Sequence, residues 1–258
     1  PLLTTLIRRS KSSQARVTAL WSLADLKSLD LESLVIGLND PNPGVTENSM
    51  RLSESLLNSQ PQLLQRIADL ADDESPRIRF QAAFSLGEAT GPVAANALAK
   101  LARRTDSDDW MRAAILSSVT NVAAELFEEL LVDANVTDPL QKFVTKPQGA
   151  VLLGQLAQLI GIRHRDEELQ RTVSAIVAIG VTNDQGLWQP LLMELGRGLK
   201  RTGKRLTLES YSEVENKWLT NRFERAVDTS GNREANDEVR AAAVELMGCF
   251  PPERSRAK

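Results

Sequence analysis

The sequence predicts an all-α fold, a right-handed α–α superhelix in which helical hairpins stack side by side. Val45, Ile78 and Met111 each stand at the beginning of an apolar helical stretch, and they are spaced 33 residues apart. A fixed period of this length is typical of helical-repeat solenoids. Proline and glycine divide the rest of the chain into stretches with the i, i+3, i+4 apolar spacing of helices, and none shows the alternation of a strand.

Residues 13–127 are predicted to form the regular repeats. Proline fixes φ and restricts the residue before it, so the segment Asp40–Gly44 predicts a turn between two helices. A hairpin cannot bury both of its apolar faces alone, and neighbouring hairpins are therefore expected to stack. The predicted helices of this region cover 15–26, 31–38, 45–57, 62–70, 77–86, 94–103 and 110–127.

The remainder is less regular, with irregular repeats over 128–236, a last helix over 237–250 and a tail over 251–258. Helices are predicted at 149–161, 167–180, 187–199 and 208–226, and a polar loop at 230–236. The chain opens without methionine in the middle of a helical pattern. We therefore expect residues 1–258 to be a single solenoid excised from a longer protein.

Composition excludes several function classes. The net charge is −3 and aromatic residues make up 4%, which disfavours a nucleic-acid-binding protein. No run of about 18 apolar residues indicates a membrane span. One cysteine and one histidine exclude an internal disulfide and a multi-cysteine metal site. Cys249 lies in an apolar helix and is predicted to be buried, and His164 is predicted to pack at a surface or loop rather than to act as a base or ligand.

The segment Gly198–Arg205 follows the phosphate-loop pattern up to its last position. A phosphate loop needs Ser or Thr after its lysine, and Arg205 stands there. We therefore predict a helix C-terminus that ends in glycine and cations. Five residues of this region form a basic cluster that is either a solvated helix end, neutralised by glutamates at 209, 213 and 215, or a contact surface for phosphate or an acidic partner. The basic cluster consists of Arg197, Lys200, Arg201, Lys204 and Arg205.

A second group of charges recurs with the repeat. An arginine follows the apolar residue that opens a helix in several repeats, and an aspartate stands in the preceding turn. The arginines could line a surface that binds anions, but we favour a structural ladder in which each arginine bonds an acidic turn. The ladder residues are Asp40, Asp72, Arg79, Asp106, Arg112, Asp237 and Arg240. Trp21, Trp110, Trp188 and Trp218 are predicted to be core residues or wedges between repeats.

Four stretches carry a family resemblance. They are Val17–Leu23, Leu38–Val45, Arg77–Gly87 and Asp108–Ser118. These paired helices, with a turn of the Asp-Pro type and a helix that opens on an apolar residue and arginine, resemble HEAT repeats. Their succession is similar to the HEAT region of large bacterial proteins of the planctomycete type. In those proteins a membrane-bound dehydrogenase-like β-propeller precedes the repeats and a c-type cytochrome domain follows them. The resemblance is strongest over residues 15–120.

This resemblance implies a periplasmic or exported redox protein that oxidises a sugar or alcohol and passes electrons to a haem. A c-type haem needs Cys-x-x-Cys-His, so the haem is expected in a flanking domain, and no catalytic, cofactor or metal residue is expected in this segment. The segment would be a non-catalytic scaffold, with the flanking propeller and cytochrome domains as its partners. The alternative is a free-standing module that binds a protein partner; neither nucleic-acid binding nor a membrane span is expected.

Overall fold

The computed structural model describes residues 2–104, 108–132, 142–182, 186–207 and 211–251. Within these ranges every regular element is helical, and there are fourteen α-helices. The predicted all-α solenoid fold is confirmed. Searched over the same ranges, the structure has no helix that combines the length and apolarity of a membrane span. The chain divides into two compact units, Pro1–Leu126 and Phe127–Lys258.

The first unit consists of helical hairpins in two layers. Its helices are α1 (Leu2–Arg9), α2 (Ser13–Asp25), α3 (Leu31–Leu38), α4 (Pro43–Ser53), α5 (Pro61–Asp69), α6 (Pro76–Leu86), α7 (Pro92–Arg103) and α8 (Asp109–Ser117). Helices α2, α4, α6 and α8 pack on one another in sequence to form the even layer. Helices α1, α3, α5 and α7 do the same on the opposite side. Short 3-10 turns at Glu54–Leu56 and Leu70–Asp72 extend α4 and α5.

Polar caps and prolines fix where these helices begin. The side chains of Ser12, Asp30, Asn42 and Asp108 each accept a hydrogen bond from a backbone N–H of the following first turn. Such caps satisfy donors that have no partner inside the helix. Helices α4, α5, α6 and α7 begin with proline at the first or second position, where a missing N–H costs nothing.

The core of the first unit lies between the two layers. Leucine and isoleucine side chains from both layers are fully buried there, including Leu20, Leu34, Ile67, Leu86 and Leu98. Because cores are packed at crystal-like density, truncation of one of these side chains to alanine costs about 2–5 kcal/mol. This packing holds the outward face of the even layer in place.

The predicted helix over 110–127 is wrong, because the chain forms two helices there. Helix α8 ends at Ser117, and α9 (Ala123–Leu131) begins six residues later. Ser118 Oγ donates to the carbonyl of Ala114, a local bond that competes with helix continuation. The backbone also passes Gly87 closely, since a Cβ added there would lie 2.8 Å from Ser118 Cα. The helix ends where the two backbones meet.

The second unit contains the later helices. After α9, which spans the boundary, a 3-10 turn (Phe143–Thr145) leads to α10 (Pro147–Arg163), α11 (Asp166–Thr182), α12 (Trp188–Arg201), α13 (Glu213–Gly231) and α14 (Asp237–Met247). Helix α12 packs against α10 and α14, and α13 packs against α11 and α14. The helix predicted at 208–226 is displaced toward the C-terminus, because Ser212 and Glu215 form a capping box at the start of α13. Residues 208–210 and 252–258 lie outside the described ranges.

Helices α10 and α12 cross with their backbones in close approach. A Cβ added at Gly161 would lie 2.8 Å from the backbone nitrogen of Leu199, and one at Gly198 would lie 3.0 Å from the carbonyl carbon of Gln158. Cβ atoms are essentially never found that close to another heavy atom. Glycine is therefore required at both positions for the backbones to touch.

Candidate functional site

A recurring hydrogen bond sets the register of the even layer. In α2, α4 and α6 one side chain near the helix start donates to the backbone carbonyl six residues earlier. The bonds run from Arg16 Nη1 to Ser10 (2.8 Å), from Thr46 Oγ1 to Asp40 (3.0 Å) and from Arg79 Nη1 to Asp73 (2.9 Å). The three helices are thereby aligned residue by residue.

Five residues after these positions stand Trp21, Arg51 and Phe84. They form a row across α2, α4 and α6, with a guanidinium between two aromatic rings. Trp21 and Phe84 are 40% and 39% exposed. A groove of about 580 Å³ runs along this row. We call it the aromatic groove, and its residues are Trp21, Glu47, Arg51, Glu54, Arg77, Phe80, Gln81 and Phe84.

One end of the aromatic groove carries an excess of positive charge. The buried Glu47 carboxylate accepts from Arg51 Nη2 at 2.6 Å and from Arg77 Nε. The Arg51 and Arg77 side chains are 48% and 65% exposed. Two cations thus share a single carboxylate, which leaves one net positive charge at the surface.

The other end carries carboxyl groups. Arg51 Nε donates to Gln81 Oε1 at 3.0 Å, and Gln81 Nε2 and Ser85 Oγ both donate to Glu54 Oε1, at 3.3 and 2.8 Å. Burial raises the pKa of Glu54, the Ser85 hydrogen bond opposes that shift, and the nearby Glu88 raises the pKa further. This end of the groove therefore disfavours additional negative charge.

The aromatic side chains of the groove are held in fixed orientations. The Trp21 indole N–H donates to Asn48 Oδ1 at 2.8 Å, and the Asn48 amide donates to the Gly44 carbonyl at 2.7 Å. Phe80 and Phe84 meet edge to face with ring centroids 5.0 Å apart. Such pairs contribute about 0.5–1.5 kcal/mol beyond their buried area. The rings are therefore ordered before any ligand arrives.

The prediction that all four tryptophans are core residues or wedges between repeats is wrong for Trp110. Trp110 is 75% exposed at the start of α8, and Trp21 lines the aromatic groove. Trp188 is buried and meets Trp218 edge to face at 5.0 Å. The Arg222 guanidinium lies 5.0 Å from both ring centroids, a cation–π arrangement inside the second unit. That pair matches the prediction.

The predicted ladder residues make local bonds of several kinds. Asp40 binds Arg16 through both carboxylate oxygens, at 2.6 and 2.7 Å. Arg79 donates to the backbone carbonyls of Asp73 and Glu74, both at 2.9 Å. Arg16 was not among the predicted residues, although it also follows an apolar residue near the start of a helix. The turns are thus bonded through their backbone as well as through carboxylates.

The remaining ladder residues are more exposed. Arg112 and Arg240 bond Asp109 and Asp237, each three residues earlier, at 2.9 and 3.3 Å. Asp72 lies 3.5 Å from Lys100 Nζ. Asp106 lies outside the described residues, so the ladder as a whole stays a prediction.

The basic cluster divides into bonded and free cations. Arg197 binds Glu194 at 2.5 Å and also Glu245, and Arg205 donates to the Gly248 carbonyl. Lys200, Arg201 and Lys204 are exposed and form no ion pair within the described part of the chain. The Glu215 carboxylate accepts from Ser212 and Ser174. A contact role for the cluster stays a prediction.

The segment Gly198–Arg205, which follows most of the phosphate-loop pattern, is a helix end, as predicted. Gly203 has φ of +73°, and the Lys204 N–H donates to the Leu199 carbonyl at 3.0 Å, which is a Schellman cap of α12. His164 ends α10 in the left-handed conformation with φ of 48°. Cys249 is buried, and burial raises the pKa of its thiol to about 12.

Comparison with known proteins gives a family for part of the first unit. Residues 31–120 match the HEAT repeats. This range holds α3 to α8, including the α4 and α6 walls of the aromatic groove. No curated protein matches the chain. Residues 31–120 are therefore a HEAT-repeat region, and such repeats suggest a scaffold or an interaction module.

Proposed function

We propose that this chain is a HEAT-repeat scaffold that binds a protein partner in the aromatic groove. The observation that carries the proposal is the row Trp21, Arg51 and Phe84, which exposes two ordered rings and a guanidinium on successive repeats. Tryptophan, phenylalanine and arginine are enriched at protein interfaces, and tryptophan and arginine are frequent among the few residues that dominate binding energy. Ordered rings also lose little conformational freedom when a partner binds.

The groove supports binding rather than catalysis. The hydroxyl that donates to its Glu54 carboxyl group belongs to Ser85, which is fully buried and does not line the groove. A nucleophile has to reach its substrate, and Ser85 cannot do so. The only histidine of the chain, His164, lies in the second unit.

Site-specific photo-crosslinking tests the proposal. We would place a benzoylphenylalanine at Phe84 or, as control, at Asn96, an exposed position on α7 outside the even layer. We expect an adduct with one discrete protein in native cells from Phe84 alone, and its loss on Arg77→Ala. Equal adducts from both positions, or none from Phe84, would contradict a binding role for the groove.

We further propose, on the resemblance of residues 15–120 alone, that the scaffold belongs to an exported redox protein. In this proposal a dehydrogenase-like propeller and a c-type cytochrome domain flank residues 1–258, and the haem is bound outside them. Sequencing of the complete gene, with a haem stain of the purified product, tests this. A gene without a Cys-x-x-Cys-His motif would contradict it and leave the free-standing interaction module.

A further inference from the structure

The aromatic groove has hydrogen-bond donors in excess at one end. Arg77 uses Nε for Glu47, and within the described residues its two Nη groups have no acceptor. Arg51 uses Nε and Nη2 for Gln81 and Glu47, which leaves Nη1 unused among the described residues. Guanidinium groups bind carboxylates through pairs of parallel N–H donors. The unused donors, together with the net positive charge of Glu47, Arg51 and Arg77, therefore suit a carboxylate.

The apolar part of the groove lies beside these donors. Phe84 stands two helical turns after Arg77 on α6, and Trp21 faces the groove from α2. Arg51 lies between them in the row. A ligand that places a carboxylate on Arg77 has the position of Phe84 about 10 Å further along α6, which is the span of about three residues of an extended chain.

The opposite end of the groove sets the direction of a bound segment. Glu54 is half-buried there, and the exposed Glu88 follows Phe84 by four residues, in the turn after the end of α6. A second carboxylate of the ligand would be repelled at this end. The groove is thus positive at Arg77 and negative at Glu54, with Glu88 just beyond that end.

We infer that the partner presents a short peptide segment in which an aspartate or glutamate stands within three residues of a bulky apolar residue, with the carboxylate on Arg51 and Arg77 and the apolar side chain against the rings of the row. This inference rests on the proposed function and adds the chemistry of the ligand. A basic segment bound to Glu54 and Glu88 is the alternative that the test must distinguish.

Selection from a displayed library of random twelve-residue peptides tests the inference. The library is panned against the full chain, and the enriched peptides are synthesised and titrated into the chain to measure their affinity. We expect enriched peptides to carry Asp or Glu within three residues of Trp, Phe or Leu. Their affinity should fall about tenfold in Arg77→Ala and in Phe84→Ala, and the Arg77 loss should shrink at high salt.

Two variants on α1 serve as controls. Arg9→Ala removes an exposed charge, and Leu6→Ala removes an apolar side chain of similar exposure to Phe84. Both should leave affinity within about twofold of the parent chain. Enrichment of Lys or Arg, equal losses in the α1 variants, or no enrichment at all would overturn the inference. Adducts at Phe84 in the crosslinking experiment would in each case leave the proposed function standing.

Discussion

At the scale of single residues, the surroundings of a charge decide what its bond contributes. The Arg16 and Asp40 side chains are 12% and 6% exposed and bond through two parallel contacts. The Asp40 hydrogen bond raises the pKa of Arg16 against the opposing effect of burial. Arg112, by contrast, bonds the fully solvated Asp109. Two ion pairs at similar points of the repeat are therefore expected to differ in energy.

We predict that Arg16→Ala lowers the free energy of unfolding by about 2 kcal/mol, because it leaves Asp40 without its charged partner in a mostly buried site. Arg112→Ala should cost less than about 1 kcal/mol, as exposed pairs do. Urea unfolding followed by circular dichroism measures both values. Equal losses would show that burial does not govern these pairs.

Glu54 gives the aromatic groove a dependence on pH. Its pKa is raised in the folded state by burial, so its stabilising contribution is full below the ordinary glutamate pKa of about 4.3 and is lost as pH rises through the folded-state pKa. Glu54→Gln stays neutral and retains an acceptor for Ser85. The stability of the variant relative to the parent should therefore increase between about pH 4 and pH 7 in urea titrations. A difference that is constant or decreases over this range would be inconsistent with a raised pKa.

At the scale of helices, the ends that are set by capping residues could be predicted closely from the sequence. Helix ends that are set by contact with another part of the chain could not. The predicted helix at 31–38 coincides with α3, because Asp30 caps its start and Asn39 and the Pro41 turn follow its end. The break after Ser117 depends on the passage of the backbone over Gly87, which only the packed hairpin shows.

The row of the aromatic groove escaped sequence analysis for a related reason. Arg51 and Phe84 keep the 33-residue spacing, but Trp21 precedes Arg51 by only 30 residues, because α4 begins sooner after the start of α3 than α6 does after the start of α5. The exposed side chains of α2 therefore do not align with the others when the fixed period is applied. The hydrogen bond from Arg16 to Ser10 matches the equivalent bonds of α4 and α6, and it shows that Trp21 occupies the position of Arg51 and Phe84.

Helix packing in the second unit supplies a test at this scale. We predict that Gly161→Ala destabilises the chain by about 2–3 kcal/mol, because its methyl group would meet the α12 backbone. Gly154→Ala on the same helix is the matched control. Its methyl group would make only an ordinary 3.4 Å contact with Glu194 Cγ, and it should be neutral or stabilising by up to about 1 kcal/mol. Thermal unfolding of both variants checks this, and similar behaviour of the two would refute the close crossing.

At the scale of the whole molecule, the chain consists of two compact helical units. Helical repeats contact mainly their neighbours, so one outward face can vary without loss of the fold. The HEAT-repeat region confines its core to the space between two layers and leaves the outward faces of α4 and α6 free to carry Arg51 and Phe84, to which the preceding α2 adds Trp21. Because the core residues maintain the fold and the outward face is free to vary, the chain is suited to a scaffold role.

The tryptophan indole resonances offer the most direct test of binding in the aromatic groove. The chain has four tryptophans, of which Trp21 lies in the groove, and Trp188 and Trp218 lie in the second unit. We would titrate the nitrogen-15-labelled chain with the tightest peptide from the display selection and assign the peaks by single Trp→Phe variants. The account predicts a saturable shift of the Trp21 resonance while those of Trp188 and Trp218 stay in place. A stationary Trp21 resonance in the presence of bound peptide would contradict it.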